Sequence, residues 1–301
     1  MRQDDSRPNL LTLPTELLFQ ITDYLDSGDT SSLLLCSHAL LNKHGAASLK
    51  SFRISDESNE ERQRFLLGLS RDNPSYFLCY TCSHLHPLAR IVPPGLGFKS
   101  THLQCLTASS CWEQPTCSRS DASYPTYWFY FHHLQLAMLR HRYGPSYGLA
   151  LEALSSTAVQ ISSSKATTLS SREASVICDA HCLRVQELTL LPHHEDPSTD
   201  YTKALKFICG HIHFLIHSSA QDLVACKTQH FDQEAGCPTC CSLLRCCRCG
   251  IEFQVDIEAL GDGRIVLVIT KWLNLGHGET PLDLDWQRHL DSIVRYLILL
   301  F

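Results

Sequence analysis

The stretch Leu11-Thr12-Leu13-Pro14-Thr15-Glu16-Leu17-Leu18-Phe19-Gln20-Ile21-Thr22-Asp23-Tyr24-Leu25-Asp26 decides how the N-terminal part folds. Pro14 suits a first helical position, where its missing N–H costs nothing, and Glu16 places a carboxylate in the first turn, where the helix dipole favours it. Leu17, Leu18, Ile21, Tyr24 and Leu25 fall at i, i+1, i+4, i+7 and i+8, a continuous apolar stripe at helical period. Asp26-Ser27-Gly28-Asp29 then reads as a turn. Asp29 is the expected N-cap of a second helix running through Leu33, Leu34 and Leu35 to Leu40 and Leu41. Two or three short helices are expected over residues 10–50, after a disordered stretch at 1–9. A module of this size buries little by itself, so its apolar faces call for cover from another protein or from the rest of the chain.

The whole chain has 301 residues, 44% hydrophobic and 19% charged, within the globular range. Against 31 acidic side chains stand 25 Lys and Arg, a formal charge of −6. That balance offers no basic footprint for nucleic acid or an anionic membrane, and neither is an expected partner. No apolar run approaches the roughly 20 residues of a bilayer span. The start Met1-Arg2-Gln3-Asp4-Asp5 carries acids where a secretory signal has a basic patch. The expected location is the cytosol or nucleus, where thiols stay reduced.

Further along, Glu57 to Gly68 reads as a linker helix ended by the breaker Arg71-Asp72-Asn73-Pro74. Residues 87–123 read as loop, Tyr127 to Tyr143 as a buried helix stopping before Gly144-Pro145, and Leu149 to Leu154 as a short helix or turn. Ser155 to Ser171 admits two readings: a Ser/Thr-rich linker, or the start of an antiparallel meander that continues through Val176 to Leu191. Pro192 to Tyr201 reads as loop. Phe253, Val255 and Ile257 alternate, Gly261-Asp262-Gly263 turns the chain, and the apolar run Arg264 to Trp272 completes a hairpin. The fold class is α+β, with a helical module followed by a mixed helical and antiparallel-β region from 51 to 301.

Sixteen cysteines and seventeen histidines stand out from this composition. Cys79 and Cys82 form a C-x2-C knuckle with His84 and His86 close behind; Cys237 and Cys240 form another, followed by Cys246 and Cys249. At that spacing one tight turn presents two sulfurs to a tetrahedral ion, so the six cysteines are candidate ligands of a structural zinc. The five residues between Cys240 and Cys246 are fewer than the roughly 15–20 of a zinc ribbon. Cys209-Gly210-His211 lies upstream as a contributor from a distance. The competing reading makes these thiols small buried hydrophobes without metal. For nucleophilic chemistry the nearest constellation is Cys178-Asp179-Ala180-His181-Cys182, whose apolar flank Val176-Ile177 reads instead as a strand end. No phosphate loop, dinucleotide fingerprint or nucleophile elbow is present.

Leu13-Pro14-Thr15-Glu16-Leu17, with Ile21, Tyr24-Leu25-Asp26 and Leu33 to Cys36, resembles the F-box, the helical module that docks on the Skp adaptor of cullin-RING (SCF-type) ubiquitin ligases. The resemblance covers residues 11–45; where many members carry a Cys followed by a basic residue, this chain has Cys36-Ser37-His38. It implies that Leu13, Pro14, Leu17, Ile21, Leu25 and Leu33 lie at or near the adaptor interface. A second likeness is carried by Phe65-Leu66-Leu67, Leu78 to Pro87, Cys246 to Cys249, Phe253, Thr270, Trp272, Pro281 and Trp286. These resemble the region after the F-box in a set of filamentous-fungal F-box proteins. Together the resemblances imply a three-helix F-box over 10–50 that holds the Skp adaptor and cullin. Residues 51–301 would then receive a protein substrate of unknown identity, with no catalysis by the chain itself. Two rivals are a zinc-stabilised interaction scaffold acting outside the ligase and a thiol-dependent hydrolase.

Overall fold

A computed structural model of the chain describes residues 10, 13–45, 59–94, 105, 111–113, 127–161, 167–191, 208–209, 211–212, 226, 237, 242–260 and 264–290. The expectations at 1–9, 192–201 and 261–263 lie outside the described residues. Two compact units emerge, Met1–Ala89 and Arg90–Phe301. Residues after 50 are therefore divided: those up to 89 share a unit with the helical module. The class is mixed α+β with antiparallel sheets, and among the described residues no helix is long and apolar enough to cross a membrane.

In the first unit, α1 (Thr15–Asp23) begins one residue later than expected, because Pro14 is extended with ψ 145° and occupies the cap. Its carbonyl accepts the first helical hydrogen bonds, from the amides of Leu17 and Leu18. The cap of α2 (Ser27–Leu35) is Asp26 and not Asp29: the Asp26 carboxylate accepts the Asp29 amide at 2.7 Å. The same carboxylate pairs with Arg64 at 3.2 Å. The expected long second helix breaks after Leu35. Ser37 takes an extended conformation and caps the single turn α3 (His38–Leu40) through the Ala39 amide, and a π-helical turn, Leu41–Gly45, follows. Leu18, Leu34 and Leu40 form a small core with Leu13 packed against it. α4 (Asn59–Asp72) runs close to α2 at the buried Gly28, where a Cβ would stand 3.2 Å from the Glu61 carbonyl. The hairpin β1 (Tyr76–Cys79) and β2 (His84–Pro87) completes this unit, its turn held to α4 by Gln63, which donates to Ser83 Oγ at 3.1 Å.

The second unit corrects the sequence reading at two places. Residues 111–113, expected as loop, form β3 (Cys111–Glu113), which pairs with β4 (Trp128–Tyr130). The helix expected from Tyr127 therefore starts later, as α5 (Phe131–Tyr143). α5 is buried from Phe131 to Met138. Its His133 accepts the Tyr130 amide on Nδ1 at 3.1 Å, which leaves Nε2–H to donate to the Val92 carbonyl at 3.1 Å. Gly148 touches α5: at φ +54° its Cα lies so close to the Leu136 carbonyl that a Cβ would fall 1.8 Å from the oxygen.

A six-stranded antiparallel sheet follows, in the order β5-β6-β7-β10-β9-β8. Its strands are β5 (Ser156–Ile161), β6 (Thr167–Ile177), β7 (Ala180–Leu191), β8 (Leu244–Arg245), β9 (Glu252–Ala259) and β10 (Ile265–Gly276). The meander reading of 155–191 holds, and so does the β9–β10 hairpin. β6 and β7 are joined by Cys178 and Asp179, both at positive φ (+52° and +58°), a two-residue turn built without the usual Asn-Gly. Register places Leu183, Val185 and Glu187 of β7 opposite Leu273, Lys271 and Ile269 of β10. Phe253 and Val255 of β9 share that face. Within it Lys271 Nζ meets Glu187 Oε2 at 3.1 Å, a largely buried ion pair, while Arg172 of β6 lies 4.7 Å above the Tyr127 ring. Helical residues 284–290 bring Trp286, fully buried, against Phe129 and Phe131.

Candidate functional site

Two features of the chain bear on function: an exposed helix face in the first unit and a sulfur-rich cluster in each unit. On α1 the apolar stripe divides. Leu18 is buried in the module's core, whereas Leu17 (44% exposed), Ile21 (36%) and Tyr24 (90%) stand in solvent at i, i+4 and i+7. Of the six residues that the resemblance places at a partner interface, Pro14, Leu17 and Ile21 are exposed. Leu25 and Leu33 are half-buried, and Leu13 belongs to the module's own core. Leu33 also lines a groove between α1 and α2 together with Phe19, Thr22 and Thr30.

In the same unit, the β1–β2 hairpin gathers Cys79, Cys82 and His86, whose ligand atoms lie within 4.8 Å of one another. Cys79 closes β1, and Ser83 at φ +50° bends the chain so that Cys82 Sγ comes 3.1 Å from His86 Nε2. His86 sits opposite Phe77 in the register and packs its ring against that of Phe77 at 6.0 Å. Of the two expected histidines only His86 joins; His84 is exposed and turns its Nδ1 to the Cys82 carbonyl.

The second unit holds the fuller set. Cys209, His211, Cys246 and Cys249 bring three sulfurs and one imidazole nitrogen within 4.8 Å of one another, with all three cysteines buried. Cys246 and Cys249 sit in the loop between β8 and β9. That loop curls on itself: the Gly250 amide donates to the Cys246 carbonyl (2.9 Å) and the Cys246 amide to the Ile251 carbonyl (2.8 Å), with Gly250 at φ +71°. Only glycine takes that conformation without strain. Cys209 and His211 come from a second tight turn, closed by the Ile212 amide on the Cys209 carbonyl (3.2 Å) and bridged from Cys209 to Ile212. His211 Nδ1 is buried with no hydrogen-bond partner among the described residues.

Electrostatics in this cluster is shared among the sulfurs. Hydrogen bonds from Cys209 and then Cys249 hold the Cys246 thiol well below the usual range. Hydrogen bonding to Cys246 is the main reason Cys209 is raised to about 11. Cys249 is raised as well, by its hydrogen bonds to Cys209 and Cys246 and by burial. His289, buried, faces the cluster closely enough to feel Cys246 and His211; its Nε2 meets the Asn274 carbonyl at 2.7 Å, and burial lowers its pKa.

Sequence spacing set Cys246 and Cys249 beside Cys237 and Cys240, with Cys209-Gly210-His211 as a contributor from a distance. Among the described residues the companions of Cys246 and Cys249 are Cys209 and His211, because the loop returns directly into β9 and faces the 208–212 turn. Cys237 lies 3.7 Å from Cys226, and Cys240 lies outside the described residues. The signal for Cys209 and His211 was the bare Cys-Gly-His triplet; nothing local pointed to His289. At the constellation considered for nucleophilic chemistry, burial pushes the Cys182 thiol up, aided by Cys178, which is the reverse of what an attacking thiolate needs. Comparison with protein-family models, with curated proteins and with solved structures returns no match.

Proposed function

We propose that the chain is a substrate receptor of an SCF-type ubiquitin ligase, acting in the cytosol or nucleus. The first unit would dock on a Skp adaptor and through it on cullin, and a mixed α/β region would receive a protein substrate. One observation carries this reading: in the helix that the Leu-Pro-x-Glu-Leu segment opens, only Leu18 is spent on the unit's own core, and Leu17, Ile21 and Tyr24 are left as an apolar ridge in water. An amphipathic helix face of this kind is what a partner groove recognises through residues at i, i+4 and i+7. The three short helices of 15–40 and the F-box resemblance of the same residues support the assignment to an F-box. The protein itself would catalyse nothing. The metal-capable groups enter as structural elements, and zinc is the ion that cysteine-rich sets with an imidazole select.

The test is co-purification of the full chain with a Skp adaptor and cullin, beside Leu17→Asp/Ile21→Asp. Both side chains are exposed, so circular dichroism and melting of the variant should match the wild type. Recruitment of both proteins by the wild type and loss of both by the variant is the expected result. A wild type that recruits neither, or a variant that binds as well as the wild type, overturns the reading. Adaptor binding without cullin would favour instead a scaffold acting outside the ligase, a reading that the two metal-capable groups also support.

A further inference from the structure

We infer that Cys209, His211, Cys246 and Cys249 bind one zinc ion in a closed, four-ligand structural site that fastens the 208–212 turn to the β8–β9 edge of the six-stranded sheet. This deepens the metal part of the function proposed above and stands whether or not an adaptor docks, because it concerns the chain alone.

Geometry comes first. Around a tetrahedral zinc with Zn–S bonds of about 2.3 Å, sulfurs stand about 3.8 Å apart. Four ligand atoms within 4.8 Å of one another fit that cage with only small rotamer adjustments. All three cysteines are free thiols, so no disulfide competes for the sulfurs. In the 246–251 loop the Cys246 and Gly250 amides close the turn on the Ile251 and Cys246 carbonyls, the Arg248 and Cys249 amides face the Cys246 sulfur and the Ile251 amide the Cys249 sulfur, and the 208–212 turn presents Cys209 and His211 together. Both arms are thus shaped to give two ligands each.

The chemistry of the donor set selects the ion. Three thiolates and one imidazole form a soft set that calcium and magnesium, which take oxygen ligands, do not use. Zinc with three thiolates carries one net negative charge, and Arg245 and Arg248 line the cleft beside the cluster, where they offset it. His211, Ile212 and Cys246 border the same cleft, which provides the ion with a path of entry. On binding, the remaining thiol protons pass to solvent.

The alternative, buried thiols serving as small hydrophobes, leaves a cost unexplained. His211 Nδ1 would then be buried without any partner among the described residues, and a buried polar group left unpaired is destabilising. Coordination through Nδ1 removes that cost. It also joins segments more than thirty residues apart in the chain, and closing a long loop in the folded state constrains the unfolded one.

Zinc content of the full chain, purified from zinc-supplemented cells, tests the site by mass spectrometry. Because the Cys79/Cys82/His86 group can add an ion of its own, the readout is the difference from wild type. Cys249→Ser and His211→Ala should each lose about one equivalent of zinc per chain. His211→Cys, which restores a four-ligand set, should keep it, as should Cys247→Ser, altered in the same loop at an exposed residue. Cobalt bound to the zinc-stripped wild type should show the visible bands of tetrahedral thiolate coordination, weakened in His211→Ala, so the assignment is read even if Cys249→Ser fails to fold. Unchanged zinc and cobalt spectra in His211→Ala, or equal loss in His211→Cys, overturns it. An adaptor that fails to bind leaves these results untouched.

Discussion

His181 is fully buried, its ring 5.6 Å from that of Phe129, and neither ring nitrogen has a hydrogen-bond partner among the described residues. Burial lowers its pKa from 6.5 to about 4, so the folded protein holds it neutral. Between those values the unfolded chain binds a proton that the folded chain refuses. Stability is therefore complete above about pH 6.5 and falls as pH drops towards 4, by on the order of 3 kcal/mol from this residue. Denaturant melts at pH 7 and pH 4.5 should show this loss in the wild type and a smaller one in His181→Leu; the part owed to His289, lowered in the same sense, remains. A second residue-scale prediction concerns Glu187, whose carboxylate answers the buried ammonium of Lys271 and lies in the field of Arg172. Glu187→Ala removes one partner of a largely buried ion pair, and chemical denaturation should register a loss of about 3–5 kcal/mol. The sequence singled out His181 only as part of a constellation considered for nucleophilic chemistry, and Glu187 not at all. A histidine after a turn and a glutamate in an alternating strand look ordinary until packing closes over them.

α1 was legible as a helix because proline, an early carboxylate and apolar residues at helical spacing are local features. Its inward side was not. Leu17 and Leu18 are adjacent, about 100° apart around the helix, and periodicity cannot choose between them. Leu34 and Leu40 choose, by accepting Leu18. Leu18→Ala should accordingly cost about 2–5 kcal/mol in a urea melt of the chain, and Leu17→Ala no more than about 0.5 kcal/mol. The start of α2 moved from Asp29 to Asp26 for a related reason: both are good caps, and Asp26 gains a second partner in Arg64 of α4. Asp26→Ala should lower stability by about 1 kcal/mol, with most of the loss retained at high salt because the cap is a hydrogen bond to the chain. In the sheet, alternation revealed β9 and a continuous apolar run revealed β10. The strand end at Val176-Ile177 was legible, but the two-residue turn after it was not, because Cys178 and Asp179 take positive φ without glycine.

At the scale of the whole molecule, each unit carries a group able to hold a metal and differs in what surrounds it. The β8 edge is only two residues long, so the 246–251 loop and the 208–212 turn have little ladder to hold them without an ion. Chelation should raise amide exchange in residues 246–253 first and leave Leu183 and Val185, central in the sheet, protected, a pattern that exchange mass spectrometry resolves. The mixed α+β class, the short N-terminal helices and the last hairpin follow from sequence alone, because capping, helical stripes and strand alternation act between residues a few positions apart. Which leucine turns inward, the joining of Cys209 and His211 to Cys246 and Cys249, and the meeting of Lys271 with Glu187 were decided only by the tertiary structure. Those contacts link distant parts of the chain, and the register of strands and the packing of helices that create them are cooperative outcomes of the whole core.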